Sequence, residues 1–345
     1  VTNAEETTES PYDVHVTGIH KKGEKHLVVA AGRGHQALAH DVAKALGTDL
    51  VPVTAYDFAN GEIYVRFEES LRGTDVFIIQ SFEGLINQQI MEALIMLDAA
   101  KRASAKRITI VVPSYPYARQ DKKHKGREPI SARLMADLFT TAGADRIMSV
   151  DLHASQTQGF FDGPVDHLVA MPTLCDYVHT KVDASNAVIV SPDAGRIKVA
   201  EQWAARLGGA PLAFVHKTRD ITRPNETASN RVVGDVAGRT AVIVDDLIDT
   251  AGTIAGAVRV VKDAGAKDVI IAATHGVLSG QARERLANSG ACEVILTDTV
   301  PIPEEKRFDT LTVLSIAPVI AKAIAAVFND GSVTKLFEEQ GAEKK

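Results

Sequence analysis

Short apolar runs alternate with stretches of helical periodicity along most of the chain. The runs predict strands at 27–31, 76–80, 107–112, 146–150, 187–191, 241–244, 269–273 and 294–296. Most are mainly apolar rather than alternating, the pattern of a strand buried on both faces. Between many of them the apolar positions recur at helical spacing. After the turn DTAGT, Ile254, Ala257, Val258 and Val261 fall at i, i+3, i+4 and i+7, with Arg259, Lys262 and Asp263 opposite. Such strands alternating with amphipathic helices predict an α/β fold whose mainly parallel sheets are flanked by helices.

The pattern also repeats. AGADRIMSVDLH (142–153) and AGAKDVIIAATH (264–275) each read as a helix end, an Ala-Gly-Ala turn, an apolar strand and a histidine at the same distance. Glycine just past a helix end is a common cap, so part of the match is generic. Upstream of each copy, however, stands another strand and loop, RITIVVP (107–113) and RTAVIVDD (239–246). Two similar domains are expected, 26–169 and 170–325, joined near 169–172. The last apolar helix, 316–328, is expected to return to the first domain, with segment 326–338 packing on it. Residues 1–25 read as a loosely ordered extension.

Composition narrows the class. A chain of 345 residues exceeds one typical core and suits two domains. A net charge of −6 gives no electrostatic footprint for nucleic acid. No apolar run approaches the length of a membrane span, and residues 1–25 lack the apolar stretch of a secretory signal. Cys175 and Cys292 lie far apart, without metal-ligand spacing or the makings of a disulfide framework. A reduced, cytoplasmic setting is expected.

The chemistry concentrates in a few segments. In VIVDDLIDTAGT (242–253) an apolar strand delivers Asp245 and Asp246 to its carboxyl end, where α/β proteins place ligands. Asp249, Thr250, Ala251, Gly252 and Thr253 then form a small, hydroxylic turn ahead of a helix. Such a turn offers backbone N–H groups and the positive end of the helix dipole to an anion, and the acids above suit ribose hydroxyls. YPYARQDKKHKGRE (115–128) crowds Arg119, Lys122, Lys123, Lys125 and Arg127 into one loop with aromatics and Gln120. That mixture fits a base and a polyphosphate as well as it fits a solvated loop.

Four further segments are ambiguous from their residues alone. DLHASQTQGFFDGPVD (151–166) holds Asp151, His153, Asp162 and Asp166. Magnesium takes carboxylates, waters and substrate phosphates, so His153 reads either as a ligand or as a hydrogen-bonded structural histidine, as His275 does. In SPDAG, Asp193 suits a metal, a ribose hydroxyl or simply a helix N-cap. Lys217 and Arg219 open a long polar stretch that fits either a catalytic lid or a solvated hairpin. Around Phe58, Asn60 and Glu62, Asn-Gly signals a hairpin and no ligand can be assigned.

In that order YARQDKK, DLHASQTQGFF, SPDAG and VDDLIDTAGT resemble class I ribose-phosphate diphosphokinases, with similarity from about 28 to 337. The resemblance implies two phosphoribosyltransferase-type domains and transfer of the β,γ-diphosphate of ATP to ribose 5-phosphate. It further implies that Phe58, Asn60 and Glu62 meet adenine from a neighbouring subunit and that Arg119 and Gln120 complete ATP binding. His153 and Asp193 would be magnesium-associated. Asp245 and the loop Asp249, Thr250, Ala251, Gly252 and Thr253 would hold ribose 5-phosphate, assisted by Arg219, with Lys217 and Arg219 on the catalytic lid. Family members assemble as hexamers built from dimers, need Mg2+, are activated by inorganic phosphate and respond to ADP. Ser70, Arg72 and Arg127 fall where that allosteric anion site would lie. His124 and Glu128 depart from the family pattern, as does the charged tail after Phe337. Two rival readings are a base-consuming phosphoribosyltransferase, which would use the same cradle, and a non-catalytic homologue. The intact lid, Asp193 and DDLIDTAGT run argue against the latter.

Overall fold

The computed structural model describes residues 25–218 and 229–336. Arg219, the polar stretch to 228 expected as a lid, nearly all of residues 1–25 and the tail from Phe337 lie outside these. The amino-terminal half opens with β1 (Leu27–Ala31), α1 (Gln36–Leu46), β2 (Val53–Asp57), β3 (Ile63–Phe67), β4 (Asp75–Ile79) and α2 (Ile86–Arg102). It continues through β5 (Arg107–Val111), α3 (Ser131–Ala142), β6 (Arg146–Val150) and β7 (Val165–Leu168). Then follow α4 (Met171–His179), β8 (Ala187–Ser191), α5 (Ile197–Arg206), β9 (Leu212–Thr218), β10 (Ser229–Val233), β11 (Thr240–Ile248) and α6 (Gly252–Asp263). The last elements are β12 (Asp268–Gly276), α7 (Ala282–Ala287), β13 (Glu293–Thr297), β14 (Leu311–Leu314) and α8 (Ala317–Phe328).

Two sheets result. The first runs β1-β4-β5-β6-β7 with every pairing parallel. The second runs β10-β9-β8-β11-β12-β13-β14, with only β10 antiparallel. From β8 the chain crosses to β9 on one side, whereas β11 continues to β12 on the other. The strand order therefore reverses between β8 and β11, and an open α/β sheet has its ligand crevice outside the carboxyl ends at such a reversal. Asp193 follows β8 and the turn Asp249 to Thr253 follows β11.

Helices cover both sheets. Helices α2 and α3 close the outer face of the first sheet, where Met96 and Phe139 meet Ile78 and Ile110. On the second sheet α6 does the same, burying Ile254, Ala257, Val258 and Val261 against strands such as Ile243 and Ile271. A shared middle layer holds Leu38 and Val42 of α1, Leu174 of α4, Trp203 of α5 and Ile320 and Ile324 of α8. It packs against Phe77 and Met148 of one sheet and Val242 and Ile270 of the other. The apolar helix α8 thus lies against α1. Both Ala-Gly-Ala turns follow helix ends with glycine in the left-handed region, Gly143 at φ 120° and Gly265 at φ 92°.

Strand extents differ from the apolar pattern where polar residues continue a ladder. Pairing of β11 with β12 runs on past Val244 to Leu247↔His275 and Ile248↔Gly276. Asp245 and Asp246 therefore stand on a hydrogen-bonded strand rather than on a loop. Strands β2, β3, β7 and β14 are partly buried and mixed in polarity, so the continuous-apolar criterion passes over them.

Candidate active site

A cleft of about 770 Å³ opens between the carboxyl ends of the two sheets, lined among others by Arg119, His153, Asp193, Arg196, Asp245 and Asp246. A smaller cavity of about 220 Å³ contains the turn Asp249 to Thr253. A third, about 530 Å³, is lined by Phe82, Leu85, Tyr117, Arg119, Gln120 and Leu247. Arg119 borders all three. The fold thus brings Arg119, His153, Asp193, Asp245 and the cradle turn to one place.

The acidic pair is the electrostatic centre. Asp246 is buried and pairs with Arg196 at 2.7 Å, while His153 Nδ1 lies 2.7 Å from its other oxygen. Arg196 lies 2.8 Å from the same Nδ1, so that nitrogen stands between a carboxylate, which only accepts, and a guanidinium, which only donates. Arg196 also donates to the His153 carbonyl at 3.2 Å. Burial works against ionising Asp246, but His153 and Arg196 outweigh it and hold the carboxyl below its ordinary range. Asp245 is pushed up, first by burial and then by the charge of Asp246 beside it.

In the cradle, Asp249 accepts from Arg119 at 2.7 Å and from the hydroxyl of Ser279. Burial opposes its ionisation, yet Ser279 and Arg119 keep its carboxyl low. Ala251, the residue before α6, sits in the left-handed region at φ 59° with no side-chain cap. The first amides of a helix have no partner within it, so α6 presents N–H groups at this turn.

The remaining sequence-predicted residues separate. Asp193 accepts from the Gly195 amide at 2.8 Å, which is the capping geometry, and it also borders the cleft. His275 is buried between Thr299, at 2.8 Å, and the Asp151 carbonyl, at 3.1 Å, and is structural; its counterpart His153 is half-buried in the cleft. Of the other acids near His153, Asp151 is taken by Thr274 and the Ala170 amide, and Asp166 by Arg146. Gln120 is exposed and accepts from Ser131 at 2.6 Å. Glu128 accepts from the amides of His124 and Lys125, which hold its carboxyl low, so the departure from the family pattern folds the basic loop on itself. Lys217 stands in β9 opposite Asn230 of β10.

Phe58, Asn60 and Glu62 form the exposed tip of the β2–β3 hairpin and border none of the three cavities. Ser70 and Arg72 lie exposed between β3 and β4, and Arg127 in the loop before α3. Among the described residues no hydrogen bond or ion pair joins Arg127 to Ser70 or Arg72. The residue reading passed over Arg196, Ser279 and Arg285. Arg196 follows Asp193 on the same turn, a signal that was available. Ser279 and Arg285 gave none, because only the fold brings them to the cradle.

Paired acids and a glycine-containing turn at the order reversal of one sheet, set beside a second, parallel sheet, define a phosphoribosyltransferase-type α/β protein. Residues 27–143 match the family model of the N-terminal domain of ribose phosphate pyrophosphokinase, and residues 220–338 match that of the phosphoribosyl synthetase-associated domain. The chain is 69% identical over 319 residues to the ribose-phosphate pyrophosphokinase of Bifidobacterium longum, covering 92% of this chain and 94% of that one. It is 63% identical to that of Corynebacterium efficiens, covering 92% and 98%. The crystal structure of phosphoribosylpyrophosphate synthetase from Mycobacterium smegmatis superposes with a TM-score of 0.85 at 62% identity, covering 89% and 100%. The chain belongs to the ribose-phosphate pyrophosphokinase family.

Proposed function

We propose that this chain transfers the β,γ-diphosphate of ATP to the anomeric hydroxyl of ribose 5-phosphate, giving 5-phosphoribosyl 1-diphosphate and AMP for nucleotide biosynthesis. The observation that carries the reading is the Arg119–Asp249 contact, which joins the basic loop to the cradle across the cleft. A donor nucleotide on one side and a sugar phosphate on the other would meet there. Transfers of this kind depend on positioning and on neutralising charge spread over oxygens.

Each residue has a place in that scheme. The turn Asp249 to Thr253 holds the 5-phosphate on backbone amides, and Asp245 holds the ribose diol. Arg119 and Gln120 hold ATP on the side of the 530 Å³ cavity. Lys217 and Arg219 belong to the lid and meet the transferred phosphates, and Arg219 also contacts the sugar phosphate. Phe58, Asn60 and Glu62, turned away from their own cleft, serve adenine in a neighbouring subunit. This makes the active unit a homo-oligomer, in our reading a hexamer built from dimers. Ser70, Arg72 and Arg127 would form the phosphate and ADP site.

Among the described residues no group of three or more His, Cys, Asp or Glu is gathered to hold a metal. Magnesium needs no such cage, since it takes one or two protein groups together with waters and phosphates. The His153 imidazole and the Asp193 carboxylate, both on the cleft, fit that partial set. When bound, Mg2+ would neutralise phosphate oxygens.

The chain divides near 169–172 into 26–169, rejoined by 326–338, and 170–325. Among the described residues no helix is long and apolar enough to cross a membrane, and we place the protein in the cytoplasm. The test is substrate dependence: AMP should form only when ATP, ribose 5-phosphate and Mg2+ are present together. Diphosphate release from 5-phosphoribosyl 1-diphosphate and a free base would instead identify a base-consuming transferase.

A further inference from the structure

We infer that Ser279 and Arg285, on the β12–α7 connection and α7, are positioning residues that orient the amides of the phosphate cradle; the inference rests on reading Asp249 to Thr253 as the 5-phosphate site. The amide of Ser279 donates to the Asp249 carbonyl at 3.0 Å. The guanidinium of Arg285 donates to the Thr250 carbonyl at 2.8 Å and is itself steadied by Gln281 at 3.3 Å. Both peptides are trans, and in a trans peptide the C=O and the following N–H point in opposite directions. Holding the Asp249 and Thr250 carbonyls toward α7 therefore turns the Thr250 and Ala251 N–H groups to the other side, toward the cradle.

The need for such a brace lies in Ala251. Its φ of 59° places a Cβ-bearing residue in the left-handed region, where the Cβ crowds the following carbonyl. No side chain caps α6 in compensation. Left alone, the Thr250–Ala251 peptide would gain by rotating, and its N–H would leave the anion. The Ser279 hydroxyl adds a bond to the Asp249 carboxylate, fixing the residue that also meets Arg119. Arg285 acts through the Thr250 carbonyl and touches no reacting atom.

The test is calorimetric binding of ribose 5-phosphate and, separately, of ATP to the full chain and its Arg285→Met, Arg285→Lys and Ser279→Ala variants. We expect Arg285→Met to weaken ribose 5-phosphate about tenfold, the size of one charge-assisted hydrogen bond. ATP affinity should stay within about twofold, Arg285→Lys should recover most of the loss, and Ser279→Ala should weaken ribose 5-phosphate roughly threefold. Unchanged ribose 5-phosphate binding in both Arg285→Met and Ser279→Ala overturns the inference. So does equal loss of both ligands, or loss of the fold itself. A parent chain that binds ATP but no ribose 5-phosphate would count against the cradle reading instead.

Discussion

Arg119 and Asp249 pair at 2.7 Å although 130 positions separate them and each follows a strand of a different sheet. One residue belongs to the loop proposed for ATP and the other to the cradle proposed for ribose 5-phosphate. On that proposal, binding at either side would be linked to the other through this ion pair. Arg119→Met should raise the KM for ATP by at least about tenfold and shift that for ribose 5-phosphate in the same direction. Arg119→Lys should recover little, since an ammonium lacks the planar fork. Steady-state kinetics with each substrate varied in turn checks both statements, and an unaltered KM for ribose 5-phosphate would make the pair incidental.

Asp246 orients His153 from behind. Groups that hold a metal-binding histidine typically contribute 10–100-fold to metal affinity. Asp246→Asn should therefore raise the Mg2+ concentration needed for half-maximal activity by roughly tenfold, while saturating Mg2+ restores much of the rate. Titration of activity with Mg2+ at fixed ATP measures this. A variant whose rate falls equally at all Mg2+ concentrations would place Asp246 in another role.

His167 accepts a hydrogen bond from the Leu152 amide at 3.0 Å through Nε2, which requires that nitrogen to be unprotonated. Burial holds its pKa below the ordinary histidine value. The unfolded chain thus takes up a proton near pH 6.5 that the folded chain refuses. Stability from the neutral ring is full above about 6.5 and is lost as pH falls from there toward the lowered folded value. Thermal melting of the wild type should drop over that interval, and His167→Gln, which keeps an acceptor without titrating, should flatten the drop.

The outward hairpin tip gives a test of shared sites. Phe58→Ala and Arg119→Met should each be poorly active alone. Co-expressed, they should form mixed assemblies more active than either parent, because some sites then receive Phe58 from one subunit and Arg119 from another. Activity no better than the average of the two parents would mean that each chain completes its own site.

Lys217→Ala should reduce turnover by roughly a hundredfold to a thousandfold, the usual effect of removing one preorganised charge from a transition state, with little change in substrate binding. Single-turnover measurements separate the two. Near-normal turnover would remove Lys217 from the mechanism.

Much of this was legible in the residues. Apolar runs located β1, β4, β5 and β6 of the first sheet and β8, β11, β12 and β13 of the second, because strands buried on two faces leave little polar alternation. The cradle was legible as well, since an acidic pair and a small-residue turn between a strand and a helix are local in sequence. What stayed hidden was long-range. Thr274 and His275 gave no sign that they would grip Asp151, and nothing in 278–289 marked Ser279 as a neighbour of Asp249 or Arg285 as one of Thr250. Asp151, Asp162 and Asp166 read as companions of His153, yet Thr274 and the Ala170 amide occupy the first and Arg146 the last. Spacing placed the acids near one another but could not say which would find partners.

The central claim is that a two-phosphate unit leaves ATP as one piece. ATP labelled at the β-phosphorus, incubated with the protein, Mg2+ and ribose 5-phosphate, tests it most directly. The account predicts that the label appears on the anomeric position of the sugar, in step with unlabelled AMP. Label retained in ADP, or ATP left intact with phosphate supplied, would contradict it.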